Sequence, residues 1–228
     1  MKNRLVKFLW KDYKNHLLNL KGFKNHHLHC EKEFLDLYIA IYSERKALLG
    51  IRDMYNIFKL VQVVRHIDGD IAEVGVYKGG SAKIICEAKG NKKLHLFDTF
   101  EGMPAAEKDI DLHGEGDFSN TKLEDVKRYL KNYPDVYFYP GIFPDSATDP
   151  GFGFTRFSFV NLDVDIFQST LRALEYFYPK MARGGIILSH DYNSLVCPGV
   201  RKAYGIYFHD KPEPVIELWD SQCIMIKQ

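Results

Sequence analysis

The stretch PVIELWDSQCIMIK, residues 214–227, joins two short apolar runs through Asp220, Ser221 and Gln222. Neighbouring parallel strands need a crossover of roughly a dozen residues or more, which three residues cannot supply. The stretch therefore predicts an antiparallel hairpin at the C-terminal end of the chain.

Five more runs rich in Val, Ile and aromatic residues alternate with helical segments upstream of this hairpin, which predicts a parallel sheet with helices on both faces. A mainly parallel α/β sheet of seven strands with an antiparallel C-terminal hairpin is the Rossmann-like layout of class I methyltransferases, which use S-adenosylmethionine. A nicotinamide dehydrogenase would keep its sheet parallel through two mononucleotide-binding halves. The runs are IAEVGV (71–76), KLHLF (93–97), VYFYP (136–140), RFSFVNL (156–162) and GIILS (185–189).

Apolar residues at helical spacing predict three helices before the first strand. We interpret residues 1–50 as an N-terminal helical arm for packing, a lid or oligomerisation, and residues 51–228 as the S-adenosylmethionine-binding methyltransferase domain of a homo-oligomer. A later helix is expected to begin at a capping box of Thr121 and Glu124. The apolar positions are Val6, Leu9, Tyr13, Leu17 and Leu20; Phe34, Leu37 and Ile41, stopping near Gly50; and Met54, Ile57, Phe58, Val61 and Val64.

The composition argues against several classes of partner. Lys and Arg number 31 against 30 Asp and Glu, so the charge gives no reason to expect nucleic acid. No apolar run approaches the roughly 20 residues of a membrane span. The cysteines form no C-x-x-C pair, and the basic start MKNRLVKFLW lacks a small-residue cleavage site. We therefore expect a cytoplasmic protein with no nucleic-acid partner.

The segment EVGVYKGGS, residues 73–81, follows the first strand and opens a helix. Gly75 permits a tight turn, while Gly79 and Gly80 would let a ligand approach backbone N–H groups. The spacing is not the dinucleotide pattern G-x-G-x-x-G, which favours a smaller adenosyl ligand; a plain strand-to-helix turn is the alternative. Glu73 is placed to reach the amino-acid end of such a ligand. The predicted cofactor contacts in this segment are Glu73, Gly75, Gly79, Gly80 and Ser81.

The next two strand ends complete the predicted cofactor site. Asp98, followed by Thr99, can accept hydrogen bonds from ribose hydroxyls, or can serve only as a turn acceptor. Gly141, Ile142 and Phe143 suit the edge and face of an adenine, although Phe143 is equally suited to the core.

Four blocks of the chain, in order, are GDIAEVGVYKGGS, LFDTFEGMP, FVNLDVDIFQSTLRALEYFYPKMARGGIILSHDY and PGVRKAY. They resemble the macrocin O-methyltransferase (TylF-like) family, from about residue 68 to the C-terminus. That family methylates sugar hydroxyls of natural products with S-adenosylmethionine. The resemblance implies an enzyme that methylates a hydroxyl of a sugar, a polyhydroxylated small molecule or a glycoconjugate.

Three side chains follow neighbouring strands: Asp163 ends the fourth, and His190 and Asp191 follow the fifth, so they can converge on one crevice. The resemblance implies that Asp163 and Asp191 hold Mg²⁺ and that Asp163 is a candidate base. The family often has two aspartates where this chain has His190 and Asp191. Because Mg²⁺ prefers oxygen ligands, three alternatives remain: fewer protein ligands, a nitrogen-tolerant metal such as Mn²⁺ bound also by His190, or no metal with His190 as base.

Two further features lie near the predicted crevice. Asp165 precedes the helical segment IFQSTLRALEYF and is expected to be its N-cap. The polar insertion DLHGEGDFSN, residues 111–120, is long enough to form a lid over the acceptor, with a solvated loop as the alternative. Two other functions fit the same residues: a non-catalytic cofactor-binding interaction subunit, and a metal-assisted hydroxylase or hydrolase.

Overall fold

The structure is a computed structural model that describes residues 31–228, so the first predicted helix, over residues 6–20, lies outside the described residues. The second predicted helix, α1, spans Lys32–Ser43 and ends before Gly50. Gly50 instead precedes α2, Ile51–Val63, and its N–H donates to the Asp53 carboxylate at 3.1 Å. The expected stop at Gly50 is therefore wrong because Gly50 marks the start of the following helix.

Seven strands form one sheet in the order β3-β2-β1-β4-β5-β7-β6. Only β7 runs against its neighbours β5 and β6, which confirms the predicted hairpin and the Rossmann-like methyltransferase fold. The strands are β1 Asp70–Val74, β2 Leu94–Asp98, β3 Val136–Pro140, β4 Phe157–Leu162, β5 Met181–Ser189, β6 Val215–Glu217 and β7 Cys223–Ile226. The remaining helices are α3 Gly80–Ala88, α4 Leu123–Leu130, α5 Phe167–Phe177 and α6 Pro198–Tyr207.

The central strand β4 is buried along its whole length, as expected for a parallel strand covered on both faces. Aromatic rings fill one side of the sheet. The Phe143 ring packs 4.9 Å from Phe97 and 5.0 Å from Phe177, and Phe157 lies 5.1 Å from Phe177. These contacts fix the loop after β3 against α5 and the sheet. Leu37–Gln228 forms one compact unit, and no helix within residues 31–228 is long and apolar enough to cross a membrane.

The start of α4 differs from the predicted capping box. The N-cap position is Lys122, which makes no side-chain cap. The Thr121 hydroxyl donates instead to the carbonyl oxygen of Tyr77 at 2.5 Å. The prediction is wrong because the threonine hydroxyl is used by the loop after β1, which it ties to the start of α4.

The carboxyl ends of β1, β4 and β5 lie side by side at the centre of the sheet. Val74 is paired with Leu162, and Leu162 with Ser189, so the next residues of the three strands are Gly75, Asp163 and His190. Gly75 has φ +86°, and a Cβ placed on it would lie 1.8 Å from the carbonyl oxygen of Asp163. Only glycine permits this approach of the two chains.

We expect Gly75→Ala to destabilise the fold by about 3 kcal/mol or more, because the added methyl group collides with backbone and the residue keeps a positive φ. Urea unfolding measures the change. Gly205→Ala is the control, because a Cβ at this position of α6 meets no atom of the described residues within 4 Å. The control should be neutral or stabilising by up to about 1 kcal/mol. Equal stability of the two variants would contradict the close approach at Gly75.

Candidate functional site

A cleft opens at the carboxyl ends of the central strands, between the loop after β1 and the loops after β4 and β5. It is lined from the sheet by all three of the strand-end residues Gly75, Asp163 and His190. Its other predicted lining residues are Ser81, Asp98, Thr99, Gly141, Ile142, Phe143 and Asp191. The structure thus brings ten of the sequence-predicted site residues into one cleft.

The Asp98 carboxylate anchors the loop after β1. Its Oδ2 accepts from the backbone N–H groups of Val76 at 2.6 Å and Tyr77 at 2.9 Å, and its Oδ1 accepts from Phe100 N–H at 2.6 Å. Asp98 therefore serves as a hydrogen-bond acceptor for the turn, which is one of its two predicted roles. Because a carboxylate oxygen has two acceptor sites, Oδ1 keeps capacity toward the cleft, and ribose binding stays a prediction.

Three predicted cofactor contacts do not line the cleft: Glu73, Gly79 and Gly80. A Cβ on Gly80 would lie 2.7 Å from the carbonyl oxygen of Lys46, and one on Gly79 would lie 3.0 Å from Val126. Both glycines therefore serve the packing of neighbouring chain segments. Ligand approach to their backbone N–H groups stays a prediction from the sequence, which their place outside the cleft lining does not support.

Glu73 is fully buried beneath the loop after β1. The Asn161 amide donates to its Oε1 at 2.9 Å, while its Oε2 has no hydrogen-bond partner among residues 31–228. Burial raises the pKa of Glu73 to about 8, against hydrogen bonds from Ser81 and Asn161 that lower it. A buried acceptor without a donor is costly, and a ligand that brings a cationic N–H group would relieve it.

The residues that follow β3 form one wall of the cleft. Phe143 is buried in the aromatic core, which is one of its two predicted roles. It also lines the cleft, where its contact with an adenine stays a prediction. Its neighbour Ile142 is half-exposed, and Gly141, with φ +125°, has no side chain that could extend into the cleft. A flat aromatic and aliphatic wall suits one face of a heterocycle.

His190 lies among carboxylates at the acidic end of the cleft. Its Nδ1 is 2.7 Å from Asp191 Oδ2 and 3.4 Å from Asp163 Oδ1, while its Nε2 is 3.2 Å from Ser221 Oγ and 3.7 Å from Asp53 Oδ2. Burial alone would lower the pKa of His190. The carboxylates of Asp163, Asp191 and Asp53 outweigh burial and raise the pKa well above 6.5, so the ring is cationic at neutral pH.

Asp165 is not the N-cap of α5. The cap position is Ile166, and the first helical N–H, that of Phe167, donates to Asp111 Oδ1 at 2.9 Å. Asp165 has φ +60°, which turns its carboxyl into the cleft. Burial, together with the charges of Asp163 and Asp191, raises the pKa of this carboxyl well above its ordinary value.

The insertion after β2 borders the cleft, and its role as a lid stays a prediction. Phe118 lines the cleft, and its ring is 5.9 Å from Tyr77 and 5.4 Å from His113. The side-chain atoms of His113, Asp165 and Cys197 that could ligate a metal lie within 4.8 Å of one another. His113 of the insertion therefore reaches the acidic end of the cleft. Asp117 accepts from Gly114 N–H at 3.0 Å and holds the insertion in its turn.

The sequence predictions missed Asp53, whose carboxylate comes from α2, outside the strand-end motifs. Its signal was weak but present, because it lies four residues before Ile57 on the apolar face of the helix. It is 5% exposed, and its Oδ1 has no hydrogen-bond partner within the described chain. A buried carboxylate on an apolar helix face indicates a polar neighbour, which here is His190.

The cleft contains a glycine turn, a carboxylate at the end of β2 and an acidic pair after β4 and β5, and the sheet has an antiparallel β7. Together these features define a class I methyltransferase. Residues 43–227 match the macrocin O-methyltransferase (TylF) family, to which the chain belongs. The protein is therefore an O-methyltransferase with S-adenosylmethionine as cofactor. This membership removes the two other functions that the sequence left open.

Individual relatives agree with this assignment. The chain is 30% identical over 186 residues, 72% of this chain and 70% of the relative, to the 8-demethyl-8-(2,3-dimethoxy-α-L-rhamnosyl)-tetracenomycin-C 4′-O-methyltransferase of Streptomyces olivaceus. It is 28% identical over 181 residues, 70% of this chain and 66% of the relative, to the demethyldecarbamoylnovobiocin O-methyltransferase of Streptomyces niveus.

Two solved structures share the fold. The O-methyltransferase NovP superposes with a TM-score of 0.68 at 25% identity, covering 80% of this chain and 82% of that chain. The calicheamicin methyltransferase CalS11 superposes with a TM-score of 0.70 at 16% identity, covering 94% and 92%.

Glu73 gives the stability a measurable dependence on pH. Its pKa is about 8 in the folded protein and ordinarily 4.5, so between these values the folded state keeps a proton that the unfolded chain releases. The free energy of unfolding therefore falls as pH rises through this window. Glu73→Gln keeps the acceptor for Asn161 and removes the titration.

We expect the stability of Glu73→Gln relative to the parent protein to increase by on the order of 3 kcal/mol from pH 5 to pH 8. Urea unfolding of both proteins at the two pH values, without cofactor, measures this change. If the difference in stability between the two proteins is the same at pH 5 and pH 8, Glu73 is ionised in the folded state.

Proposed function

We propose that this O-methyltransferase methylates a hydroxyl group of a sugar, free or carried on a small molecule or glycoconjugate. One observation carries the proposal: Asp163 lies in the same cleft as the glycine turn, with its backbone against Gly75. The rhamnosyl compound in the name of the Streptomyces olivaceus relative supports a sugar-bearing acceptor.

The cofactor would be held between the loop after β1 and the wall after β3. Asp98 and Thr99 face this part of the cleft and suit a ribose, and Ile142 and Phe143 suit an adenine. The buried Oε2 atom of Glu73, which has no hydrogen-bond partner among residues 31–228, suits the α-amino group of the cofactor. Binding there requires the loop after β1 to move. Gly79 and Gly80 are left as packing residues in this proposal.

When bound, S-adenosylmethionine supplies a methyl group whose bond to the sulfonium sulfur breaks as the bond to the acceptor oxygen forms. The acceptor hydroxyl must lose its proton in this step, and Asp163 is the carboxylate placed to accept it. Much of the rate would come from holding the hydroxyl in line with the methyl group, a task for Asp163 and the insertion above it. The proton then leaves Asp163 for water.

We assign proton acceptance to Asp163 and not to His190. Both ring nitrogens of His190 have polar partners, and its raised pKa keeps the ring protonated at neutral pH. A protonated imidazole has no lone pair with which to accept a proton. His190 thus acts on the reaction only through the carboxylates that it contacts.

The insertion after β2 would close the acceptor side. Phe118 offers an aromatic face of the kind that packs on a sugar ring, and exposed Leu48 lines the same cleft. A cytoplasmic location, the arm of residues 1–50 and a homo-oligomeric state stay predictions from the sequence.

We expect Asp163→Asn to bind S-adenosylhomocysteine as the parent protein does, while its turnover falls by about 10²- to 10⁴-fold, because the amide cannot accept the proton. Isothermal titration measures binding, and release of S-adenosylhomocysteine with a panel of glycosides and nucleotide sugars measures turnover. Asp109→Asn, at an exposed position just before the insertion, is the matched control and should keep full turnover. Undiminished turnover by Asp163→Asn would remove the assigned base.

A further inference from the structure

Within residues 31–228, two groups of side chains at the acidic end of the cleft are close enough to share one small ligand. The first group is Asp163, His190 and Asp191, at the place where the family resemblance implies a divalent cation. The second group brings His113, from the insertion after β2, close to Asp165. Neither His113 nor Asp165 has a role in the methyl transfer described above, so both are available to bind another part of the acceptor.

The His113 ring is held in a fixed orientation. Its Nδ1 lies 3.1 Å from Asp117 Oδ2, and the same oxygen accepts from Gly114 N–H at 3.0 Å. The backbone of the insertion is fixed as well, because Met103 N–H donates to the carbonyl oxygen of Asp117 at 2.7 Å. The imidazole is therefore positioned before a ligand arrives, which lowers the entropic cost of binding.

The other ring nitrogen of His113, Nε2, has no hydrogen-bond partner in the part of the chain that the structure describes. A ring nitrogen of His113 lies within 4.8 Å of a carboxylate oxygen of Asp165 and of Cys197 Sγ. Two hydrogen bonds of about 2.8 Å that meet at one oxygen atom span roughly 4.6 Å. One ligand oxygen can therefore bridge His113 and Asp165.

A hydroxyl group is the ligand that this pair recognises best. An ionised carboxylate only accepts hydrogen bonds, so the bond to Asp117 places the proton of a neutral His113 ring on Nδ1 and leaves Nε2 as an acceptor. A hydroxyl group donates one hydrogen bond and can accept others. A methyl ether has no proton to donate to Nε2, and its methyl group needs additional space. The pair therefore distinguishes a free hydroxyl group from a methylated one.

Phe118 provides an apolar face beside this polar pair. Its ring lines the cleft and packs against the His113 ring at 5.4 Å, with an angle of 46° between the ring planes. Phe118 has φ +60°, a conformation that bulky residues rarely adopt and that is common at functional sites. A sugar ring presents an apolar C–H face with hydroxyl groups around its edge, and the two aromatic side chains match this pattern.

We propose that His113 is a specificity-determining residue, which together with Asp165 binds a free hydroxyl group next to the one that is methylated. The proposal rests on the proposed function and deepens it, because it defines the acceptor as a sugar with a vicinal diol. Only Val164 separates Asp163 from Asp165 in the chain, and all three residues line the cleft. Neighbouring hydroxyl groups can thus each reach one carboxyl group. Any methylation of the neighbouring oxygen must follow this reaction.

The test compares acceptors on the parent protein with S-adenosylmethionine. The acceptor that is methylated fastest is chosen from the methyl glycosides of glucose, galactose, mannose and rhamnose. Its derivatives either lack one hydroxyl group next to the methylated position or carry that group as a methyl ether. We expect kcat/KM to fall by about 10- to 100-fold for both derivatives at one neighbouring position. Release of S-adenosylhomocysteine measures turnover.

His113→Phe keeps a ring against Phe118 and removes both nitrogen atoms. We expect this variant to lose about the same factor with the complete acceptor and to methylate the deoxy derivative as well as the parent protein does. A merely structural role of His113 would lower kcat/KM for both acceptors alike. The control His66→Phe makes the same exchange at an exposed position and should match the parent protein with both acceptors.

Equal kcat/KM of the parent protein for the acceptor and all of its derivatives would overturn this proposal and leave the proposed function intact. This comparison uses the parent protein alone, so it decides the matter even if His113→Phe fails to fold. Stoichiometric zinc in the purified parent protein that is absent from His113→Phe would also overturn the proposal, because the group would then hold a metal ion. Methylation of none of the sugars would count against the proposed function itself, and with it against this proposal.

Discussion

The approach of the β1 and β4 chain ends at Gly75 is the constraint on which the site depends. A Cβ at Gly75 would fall 1.8 Å from the Asp163 carbonyl oxygen, so the two chains meet without a side chain between them. This contact places the glycine turn and the Asp163 carboxylate within one cleft. The hydrogen bonds from Val76 and Tyr77 to Asp98 then fix the course of the loop above it.

Charge organises the other end of the cleft. His190 contacts Asp53 of α2 and Asp163 at the end of β4. It also contacts Asp191 after β5 and Ser221 in the turn before β7. Because the groups come from distant parts of the chain, the cluster forms only when the fold is complete. The site is therefore set by tertiary structure, and its electrostatics differ from those implied for relatives with two aspartates at this place.

The mainly parallel sheet with its antiparallel hairpin could be predicted, and so could the convergence of Asp163 with His190, because neighbouring parallel strands end at the same edge of a sheet. The role of Asp165 could not, since its position before a helix is that of an N-cap until a backbone of φ +60° and the competing Asp111 are known. The packing role of Gly80 could not be predicted, because a glycine needed for ligand approach and one needed for chain packing look alike in sequence. Asp53 lay on an apolar helix face whose partner no local pattern reveals.

The central claim is that an adenosyl cofactor and the Asp163 carboxylate share one cleft. A crystal structure with S-adenosylhomocysteine tests it directly. The account predicts the adenosine between Asp98 and Phe143, with the sulfur atom on the side of Asp163. A ligand bound elsewhere, or an Asp163 side chain turned away from the sulfur, would contradict it.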